Sequence, residues 1–571
     1  MFEYQPIVRA TAGPYYGAAL VGTYSTVIGW NFDDESLREG LLGFAVKRTE
    51  WDNDSGEVIE QSWLGGYKRF KDFDPGSLGD IGSLTAPFQR FRWNDYTLHH
   101  TRSYRFEVYP MRGVPGQLTR DEDPLIFEFS PTPEDDGTLG VYVNRGVTAA
   151  KAYYQRFGDR RPSEVSPPAA AYSWLSRGLK ESLIKLIVEA RSGDGLHLAL
   201  YEFEDLEIAT LLKNASERGV EVKIVHDARK DKPSTKRSRH MVHEVGVEHL
   251  VSERTTVSIS HNKTAILLRE GQPIRVWAGS ANMSENAFNY QTNSALLMRD
   301  QATLNAYEAY FQNLLGDPAK KDCKIVNQGL MSDINSRNPR FAEKLFFSPI
   351  AKEEIIDTAV DLIENAKSIV LVSAPFFIHK DMIEALGNNT NNIIEYGLVN
   401  ATSSGKIKAM RKGGTQFYPP NKLQTFQEER WDAKAFGAHK IHSKFIVVDP
   451  FGENPKVLFG SANFSKASCK DNDENALLIE GDKRLAAILA TEYLRMHDHY
   501  KIRYYTDRTA DANKEIRKEN RLRKKQGLDP KPYVRIPYHL EVDKRWSKTA
   551  FDADSRSHKF ADRLAFSGNE L

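Results

Sequence analysis

The chain has 571 residues, of which 40% are hydrophobic and 27% are charged. This length exceeds what one hydrophobic core usually organises, so several folded domains are expected. Because 78 basic residues stand against 77 acidic ones, the global charge gives no argument for nucleic-acid binding, and because no segment is long and apolar enough to span a bilayer, we expect no stable membrane insertion.

Residues 1–157 have the pattern of a β-rich module. Short runs rich in valine, tyrosine, phenylalanine and threonine alternate with glycine, proline and aspartate, as at Gly43–Thr49, Tyr104–Tyr109 and Leu139–Val143. Short strands separated by turn signals predict an antiparallel β-sandwich. These strands and Trp30 resemble a fibronectin type III or related immunoglobulin-like module, whose role would be a structural cap, an oligomerisation surface or ligand binding.

Two α/β units are predicted after a linker at residues 158–171, the first at residues 172–330 and the second at residues 331–504. In each unit, hydrophobic periodicity gives the order helix, strand, helix, strand. Residues 505–571 are predicted to be a charged C-terminal extension that packs on the core, with an exposed helix at Lys514–Lys525. The predicted elements are 181–188, 196–201, 206–218 and 220–225 in the first unit, and 353–366, 368–373, 380–386 and 393–399 in the second.

Only two cysteines occur, Cys323 and Cys469, and no cysteine-rich or histidine-rich ligand spacing surrounds them. Neither a disulfide framework nor a zinc site is therefore expected. The start of the chain lacks the basic and apolar regions of a secretory signal. These features predict a cytoplasmic location.

A short motif occurs twice with identical spacing. Each histidine stands 18 positions before its glycine (279 − 261 and 460 − 442). Apolar runs and turn residues predict a strand, turn, strand, turn order for each copy. Because side chains two residues apart share one face of a strand, each copy gathers an imidazole, an ammonium group and an amide. The copies are His261-Asn-Lys263 with Gly279-Ser-Ala-Asn282, and His442-Ser-Lys444 with Gly460-Ser-Ala-Asn463.

This pair of motifs resembles the duplicated H-x-K-x4-D and G-S-x-N signature of the phospholipase D superfamily. The second copy is complete, with Asp449 in the aspartate position, which is a supporting position in the family, whereas Leu268 occupies that position in the first copy. The resemblance implies a pseudo-two-fold core in which both motifs meet at the axis and form one active site, so that no oligomer is required. The predicted fold is therefore α/β, a duplicated phospholipase D-like α-β-α core preceded by an all-β sandwich domain.

Two imidazoles on opposite sides of one phosphorus atom can cleave a phosphodiester in two steps. One neutral histidine attacks phosphorus and forms a phosphohistidine, while the other, protonated, donates its proton to the leaving oxygen. The resemblance implies that neither a metal ion nor another cofactor is needed. The side chains predicted to bind the phosphate oxygens are Lys263, Lys444, Asn282 and Asn463.

The roles of the two histidines depend on which groups accept their Nδ1 protons. Eleven residues after the motif asparagine, the first unit has Asn293 and the second has Glu474. If each accepts from the histidine of its own unit, the carboxylate favours a charged His442 and the amide a neutral His261. His261 is then the predicted nucleophile and His442 the acid, an arrangement that resembles the tyrosyl-DNA phosphodiesterase branch of the family.

Four further side chains are candidates for substrate binding. Ser280 and Ser461 follow the turn glycines and either bind phosphate or cap the turn. Tyr201 and Phe376 lie at the ends of equivalent central strands, where ligands collect in open sheets, and either line the pocket or belong to the core.

Three functions remain open. A nuclease is favoured by the expected location, by local basic runs such as Lys230–Arg239, and by the Gly460–Ser465 run, which looks like nuclease branches of the family. A phospholipase D that hydrolyses or transfers phosphatidyl headgroups is the second. A catalytically decayed scaffold whose β module is the functional part is the third, although both histidines, lysines and asparagines are retained. Residues 401–438 are predicted to form a lid that sets specificity.

Overall fold

The computed structural model describes residues 2–73, 81–146, 150–158, 160–336, 344–376, 378–388, 393–400, 416–418, 441–534, 539–555 and 557–568. It is a mixed α/β protein with a duplicated core and N-terminal all-β sheets, as predicted. None of the described helices is both long and apolar enough to cross a membrane.

The N-terminal β module consists of two antiparallel sheets. Alternation of apolar and polar residues turns one face of each sheet towards a shared aromatic core, where Trp30 lies 5.3 Å from Phe44 between ring centroids. One sheet contains Ile7–Ala12, Tyr15–Val21, Thr26–Asn31 and Arg92–Asp95. The other contains Leu41–Asp52, Val58–Trp63, Arg102–Val114, Gln117–Arg120 and Leu125–Phe129, and a small ribbon pairs Gly65–Gly66 with Ile81–Gly82.

The strand Leu139–Val143 does not belong to this module, contrary to the sequence prediction. It pairs antiparallel with Ser294–Met298, with Leu139 opposite Met298, and forms the edge of the first α/β sheet. All five of its residues are buried, which is typical of a strand covered on both faces. The first α/β unit therefore begins before the linker that was predicted at residues 158–171, and that segment itself contains the start of the helix Pro168–Ser176.

The two α/β units contain seven-stranded sheets with the same strand order, as expected for a duplicated unit. In both, four antiparallel strands are followed by strands that pair in parallel. In spatial order, the first sheet contains Leu139–Val143, Ser294–Met298, Gln272–Gly279, Lys263–Arg269, Gly195–Leu200, Glu221–Asp227 and Val251–Arg254. The second contains Lys344–Ser348, Glu474–Glu480, Lys456–Gly460, Phe445–Val448, Ile369–Ser373, Ile394–Leu398 and Gln416–Tyr418.

Aspartates cap several of the helices that flank these sheets. The carboxylate of Asp205 accepts from the main-chain N–H of Ile208, and Asp482 does the same for Leu485, which satisfies N–H groups that have no partner within the helix. The α-helices are Ala150–Phe157, Pro168–Ser176, Leu179–Glu189, Leu206–Glu217, Pro233–Val245, Gln301–Leu315, Lys320–Ser336, Glu354–Glu364, Lys380–Asn388, Lys466–Lys470, Lys483–Lys525 and Lys559–Phe566. Short 3₁₀ helices lie at Glu35–Arg38, Lys71–Phe73, Pro162–Glu164, Glu248–Leu250 and Lys544–Ala550, and a π-helical turn at Asn286–Tyr290.

The C-terminal residues pack on the β module as well as on the second unit. Helix Lys483–Lys525 runs through the boundary predicted at residue 505, and its last turns are exposed, as predicted. Beyond it, Trp546 is 6% exposed, stacks on Phe91 at 5.3 Å, and donates from Nε1 to the Leu41 carbonyl at 2.9 Å. The end of the chain thus completes the core of the N-terminal module.

Candidate active site

The two motifs meet because each unit pairs its main chain with the other unit. The N–H of His261 donates to the carbonyl of Asp473 at 2.9 Å, and the N–H of His442 donates to the carbonyl of Thr292 at 3.0 Å. Asp473 also forms a fully buried ion pair with Arg254, 2.9 Å from Nε to Oδ2. Glu474 follows Asp473 in the chain, and Asn293 follows Thr292. These main-chain contacts therefore place His261 beside Glu474 and His442 beside Asn293.

The acceptors of the two Nδ1 protons are therefore crossed. His261 Nδ1 lies 2.7 Å from Glu474 Oε2, and His442 Nδ1 lies 2.9 Å from Asn293 Oδ1. The prediction that each histidine uses the acceptor of its own unit is wrong. Because Asp473 and Thr292 pair across the axis, the side chains that follow them reach the histidine of the other unit.

The hydrogen-bond network fixes the orientation of both imidazoles. The amide nitrogen of Asn293 donates to the carbonyl of Ala287 at 2.9 Å, so its Oδ1 must be the acceptor for His442. Ionised Glu474 offers only acceptors to His261. Both histidines consequently carry the proton on Nδ1, an assignment made from the hydrogen bonds, and Nε2 of each remains as the reacting atom.

Ser280 and Ser461 orient these acceptors rather than bind substrate. Ser280 Oγ donates to Asn293 Oδ1 at 2.8 Å, and Ser461 Oγ donates to Glu474 Oε2 at 2.9 Å. Both serines are fully buried. Of the two predicted roles, phosphate binding and capping of the turn, the hydrogen bonds favour the second. Each hydroxyl accepts from a main-chain N–H, that of Ser294 or of Asn475, at 3.0 Å, and its own proton is already used.

Glu474 lies in a fully buried position. Ser468 Oγ donates to its Oε1 at 3.0 Å, and Asn472 Nδ2 does so at 3.3 Å. Burial raises the pKa of Glu474 to about 7, although Lys263 and Lys444 act in the opposite direction. The carboxyl group therefore exchanges its proton near neutral pH.

The two motif lysines are buried cations at the centre of the site. Lys263 Nζ donates to the His261 carbonyl at 2.5 Å, and Lys444 Nζ donates to the His442 carbonyl at 2.6 Å. Burial lowers the pKa of Lys263 to about 7 and holds the pKa of Lys444 well below its usual range. Each ammonium group makes one such bond and has further N–H donors for an anion.

Both imidazoles are kept neutral in the absence of an anion. Burial, followed by the charges of Lys263 and Lys444, lowers the pKa of His261 well below its usual range. Burial and the same lysines lower the pKa of His442, to which nearby His261 adds a further decrease. A bound phosphodiester would offset the lysine charges and so favour protonation of one ring.

Asn282 has a carboxylate partner that the sequence analysis missed. Its amide nitrogen donates to Glu202 Oε2 at 2.6 Å. The corresponding position in the second unit is Phe376, as judged from the equivalent pairing of the two central strands with their hairpins. Glu202 can be recognised as a site residue only from the register in which each central strand pairs with its hairpin, because the two central strands share no sequence motif. Within the described residues, the side-chain oxygens of Asn282 and Asn463 are buried and have no hydrogen-bond partner.

Tyr201 belongs to the site. Its ring centroid lies 5.0 Å from that of His261, and Lys263 Nζ lies 5.1 Å from the Tyr201 ring centre. Phe376 is 39% exposed after strand Ile369–Ser373, so it is a surface residue and not part of the core. Apart from strand Gln416–Tyr418, the predicted lid at residues 401–438 lies outside the described residues.

Asp449 lies beside the start of a central strand. Its carboxylate accepts from the main-chain N–H groups of Ser368 and Ile369 at 2.7 and 3.0 Å, which holds the start of a central strand. In the first unit Leu268 is buried at the equivalent position, opposite Gly195. There Asp194, at the position that corresponds to Ser368, supplies a carboxylate that accepts from the N–H of Arg191 at 3.0 Å.

A family model described as "Cardiolipin synthase, PLD-like domain" matches residues 183–315 and 359–497. Phosphatidylserine synthase from Haemophilus influenzae is 13% identical, with a TM-score of 0.40, over 57% of this chain and 85% of that chain. Polyphosphate kinase from Porphyromonas gingivalis is 14% identical, with a TM-score of 0.36, over 54% of this chain, and the match spans 46% of that chain. Yeast tyrosyl-DNA phosphodiesterase is 12% identical, with a TM-score of 0.29, over 51% of this chain and 85% of that chain. No curated protein matches the chain.

Proposed function

Because this chain belongs to the phospholipase D superfamily, we propose that it is a phosphodiester hydrolase that acts through a phosphohistidine on His261, with nucleic acid as its substrate. The observation that carries the proposal is the pair of crossed contacts, His261 with Glu474 and His442 with Asn293. They give two imidazoles with the same tautomer but with partners of different charge.

In the first step, Nε2 of neutral His261 attacks phosphorus, an N–P bond forms, and the bond to the leaving oxygen breaks. The phosphorylated ring keeps its Nδ1 proton and is cationic, so the Glu474 carboxylate at 2.7 Å stabilises it directly. Protonated His442 gives its Nε2 proton to the leaving oxygen. The neutral Asn293 amide suits this acid, because it orients the ring without stabilising its charge as a carboxylate would.

In the second step, water enters from the side that the leaving group vacated. His442, now neutral at Nε2, takes a proton from this water, whose oxygen attacks phosphorus as the N–P bond breaks. His261 returns to its neutral form. These steps reach the same roles for the two histidines as the sequence analysis did, but for the opposite electrostatic reason.

The phosphate oxygens are held by Lys263, Lys444, Asn282 and Asn463. Their fixed positions, buried in a region of low dielectric, make each interaction stronger than it would be in water. The proposed steps draw their nucleophile from His261, their acid from His442 and their charge stabilisation from these four residues. We therefore expect the activity to persist in EDTA.

Nucleic acid is proposed as the substrate because of the basic segment at residues 229–239. Six of its residues are basic and one is acidic, and Lys232 within it lies 6.0 Å from the ring centre of Tyr201, which contacts His261. Local positive charge beside a phosphodiester site suits a polyanionic substrate.

A second candidate is the hydrolysis or transfer of a phosphatidyl headgroup. It is favoured by the description of the matching family model, which names cardiolipin synthase, and by the exposed aromatic ring of Phe376. A decayed scaffold is disfavoured because the buried charges and acceptors of the site are costly to maintain without a function.

The experiment is EDTA-resistant hydrolysis of bis(4-nitrophenyl) phosphate, single-stranded DNA, duplex DNA, RNA and phosphatidylcholine vesicles, with the His261→Ala protein as the control. We expect cleavage of the small diester and of at least one nucleic acid, with both activities lost in the variant. Release of choline alone would assign the protein to lipids. No hydrolysis of any substrate would contradict the proposed chemistry.

A further inference from the structure

A third lysine, outside both motifs, lies near Tyr201, the aromatic ring that contacts His261. Lys232 Nζ is 6.0 Å from the ring centre of Tyr201, and that ring lies 5.0 Å from the ring of His261. After burial, Lys263 and Lys444, the charge of Lys232 also lowers the pKa of His261. Lys232 therefore acts electrostatically on the same site as the two motif lysines.

Lys232 is held in place by a buried carboxylate. Its Nζ lies 3.5 Å from Oδ2 of Asp227, which is 1% exposed, whereas the lysine side chain is 26% exposed. Oδ1 of Asp227 accepts from the N–H of Ser260 at 2.9 Å. Because Ser260 precedes His261 in the chain, one carboxylate fixes both the cation and the segment that carries the nucleophile.

The neighbouring charges differ from Lys232 in their partners. Arg237 pairs with Glu204 at 2.7 Å and Arg239 pairs with Glu253 at 2.8 Å, both closer than the 3.5 Å between Lys232 and Asp227. Lys236 is exposed on the same helix as these arginines. Lys232 is the cation of this segment that lies against the aromatic ring of the site.

We propose that Lys232 forms a second anion subsite, which binds a phosphate adjacent to the scissile one in a polynucleotide strand. This inference rests on the proposed function. The scissile phosphate is held by the motif lysines and asparagines, and a diester with a single phosphate offers no second anion to Lys232. A polynucleotide carries a phosphate on every residue of the strand and can occupy both places.

The geometry also indicates which part of the strand is held there. The leaving oxygen must lie opposite His261 Nε2 for in-line displacement, on the side of His442. The ring of Tyr201 lies against His261, so Lys232 lies on the nucleophile's side. The phosphate at Lys232 therefore belongs to the part of the strand that stays attached to the enzyme in the phosphohistidine.

The test compares a single-stranded oligonucleotide with bis(4-nitrophenyl) phosphate for the full-length protein and three variants. Lys232→Met removes the charge, Lys232→Arg keeps it, and Lys236→Met makes the same charge change elsewhere on this surface. For Lys232→Met we expect the oligonucleotide KM to rise about tenfold and the slope of log KM against log salt to fall by about one. The KM for the small diester should rise by a clearly smaller factor, because this substrate is exposed to the charge of Lys232 only at a distance and has no second phosphate to bind it.

Additional substrates and variants locate the subsite and distinguish a failure of the subsite from a failure of the proposed hydrolysis. A neutral methylphosphonate on the retained side of the scissile phosphate should raise the wild-type KM and abolish the effect of Lys232→Met, and Lys232→Arg should restore the oligonucleotide KM. Equal effects of Lys232→Met on both substrates, or an equal effect of Lys236→Met, would overturn the subsite while hydrolysis of the small diester still supports the chemistry. Cleavage of phosphatidyl headgroups without cleavage of any oligonucleotide would overturn the polynucleotide assignment.

Discussion

Glu474 and Asn293 make two otherwise similar histidines chemically unequal. A carboxylate beside the Nδ1 proton stabilises a ring that becomes cationic when it is phosphorylated, whereas an amide in the same place leaves a protonated ring more acidic. Both acceptors are held by a buried serine hydroxyl, so the geometry on the two sides is alike. In the proposed mechanism, the difference between nucleophile and acid thus arises from the difference in charge between these two acceptors.

Glu474→Gln is expected to lower kcat about 100-fold, because the amide cannot stabilise the cationic phosphohistidine as the carboxylate does. Single-turnover measurements should show that formation of the intermediate slows, with little change in substrate binding. The free energy of unfolding at pH 8 should not fall, because burial raises the pKa of Glu474 to about 7 and its ionised form is the less stable one in the folded protein. A large loss of stability would instead indicate a structural role.

The pH profile of the wild type follows from the same group. Ionisation of Glu474 should raise kcat/KM and loss of the Lys263 charge should lower it. Because the pKa values of both groups are shifted to about 7, kcat/KM should pass through one narrow maximum near pH 7. In Glu474→Gln the rising limb should be absent and the falling limb should remain. A rising limb that persists in the variant would assign it to another group.

Glu202 should act through Asn282. Glu202→Ala removes the acceptor 2.6 Å from the Asn282 amide and is expected to lower kcat/KM for the small diester about tenfold, since one phosphate donor loses its orientation. Glu202→Gln keeps an acceptor oxygen and should restore most of the activity. Equal losses in both variants would show that the charge of Glu202, and not the hydrogen bond, matters.

At the scale of the elements, glycine allows the hairpins to deliver their asparagines. A Cβ on Gly460 would clash with the carbonyl oxygen of Asn475 and lie 2.8 Å from Cα of Ala476, on the strand that begins with Glu474. Gly279 makes the same close approach to Ser294 and Ala295. The repeated Gly-Ser pair is therefore required for two strands to approach each other at the site, whatever its role in the chemistry.

Gly460→Ala is expected to destabilise the protein by about 1–3 kcal/mol, because the added methyl group must push two buried strands apart. Activity should fall more than stability accounts for, since Glu474 begins the displaced strand. Gly316→Ala is the control, because no atom lies within 4 Å of its added Cβ. Urea unfolding and kcat/KM on the small diester measure the two effects, and wild-type activity in a destabilised Gly460→Ala would contradict this account.

The sequence predicted what depends on local periodicity and on the repeated motif. It predicted both hairpins, the order of the central helices and strands, and the meeting of the two motifs at one site. It did not predict the crossed acceptors, because they follow from main-chain pairing of Asp473 and Thr292 across the axis. It also placed Leu139–Val143 in the wrong sheet, since five buried residues fit a sandwich strand and an α/β edge strand equally well.

At the scale of the whole molecule, the C-terminal segment packs against the N-terminal β module. Trp546 fills the core of the β module, and Arg563 Nη1 donates to the carbonyl of Phe32 at 3.2 Å. The last helix contacts the same module, where a Cβ on Gly29 would clash with the carbonyl oxygen of Phe566. Residues at the two ends of the sequence therefore fold as one structure, with the α/β units between them.

Trp546→Ala is expected to destabilise the β module by about 3–5 kcal/mol, because a large buried ring and its hydrogen bond are lost. Limited proteolysis should then cut the module first, while kcat/KM on the small diester at low temperature stays near the wild-type value. Val542→Ala, in the same segment but at a position that is 52% exposed, should change the unfolding transition little. Activity and module stability that fall together in Trp546→Ala would mean that the β module supports the site.

The crossed contacts also constrain how the two copies can evolve. A change at Glu474 alters the histidine of the other copy, so a mutation in one half of the gene has its phenotype in the other half. A chain built from two first copies would place asparagine beside both rings, and one built from two second copies would place glutamate beside both. In neither chain would the two imidazoles have different acceptors. The difference between the two histidines therefore persists only while one copy keeps the glutamate and the other keeps the asparagine.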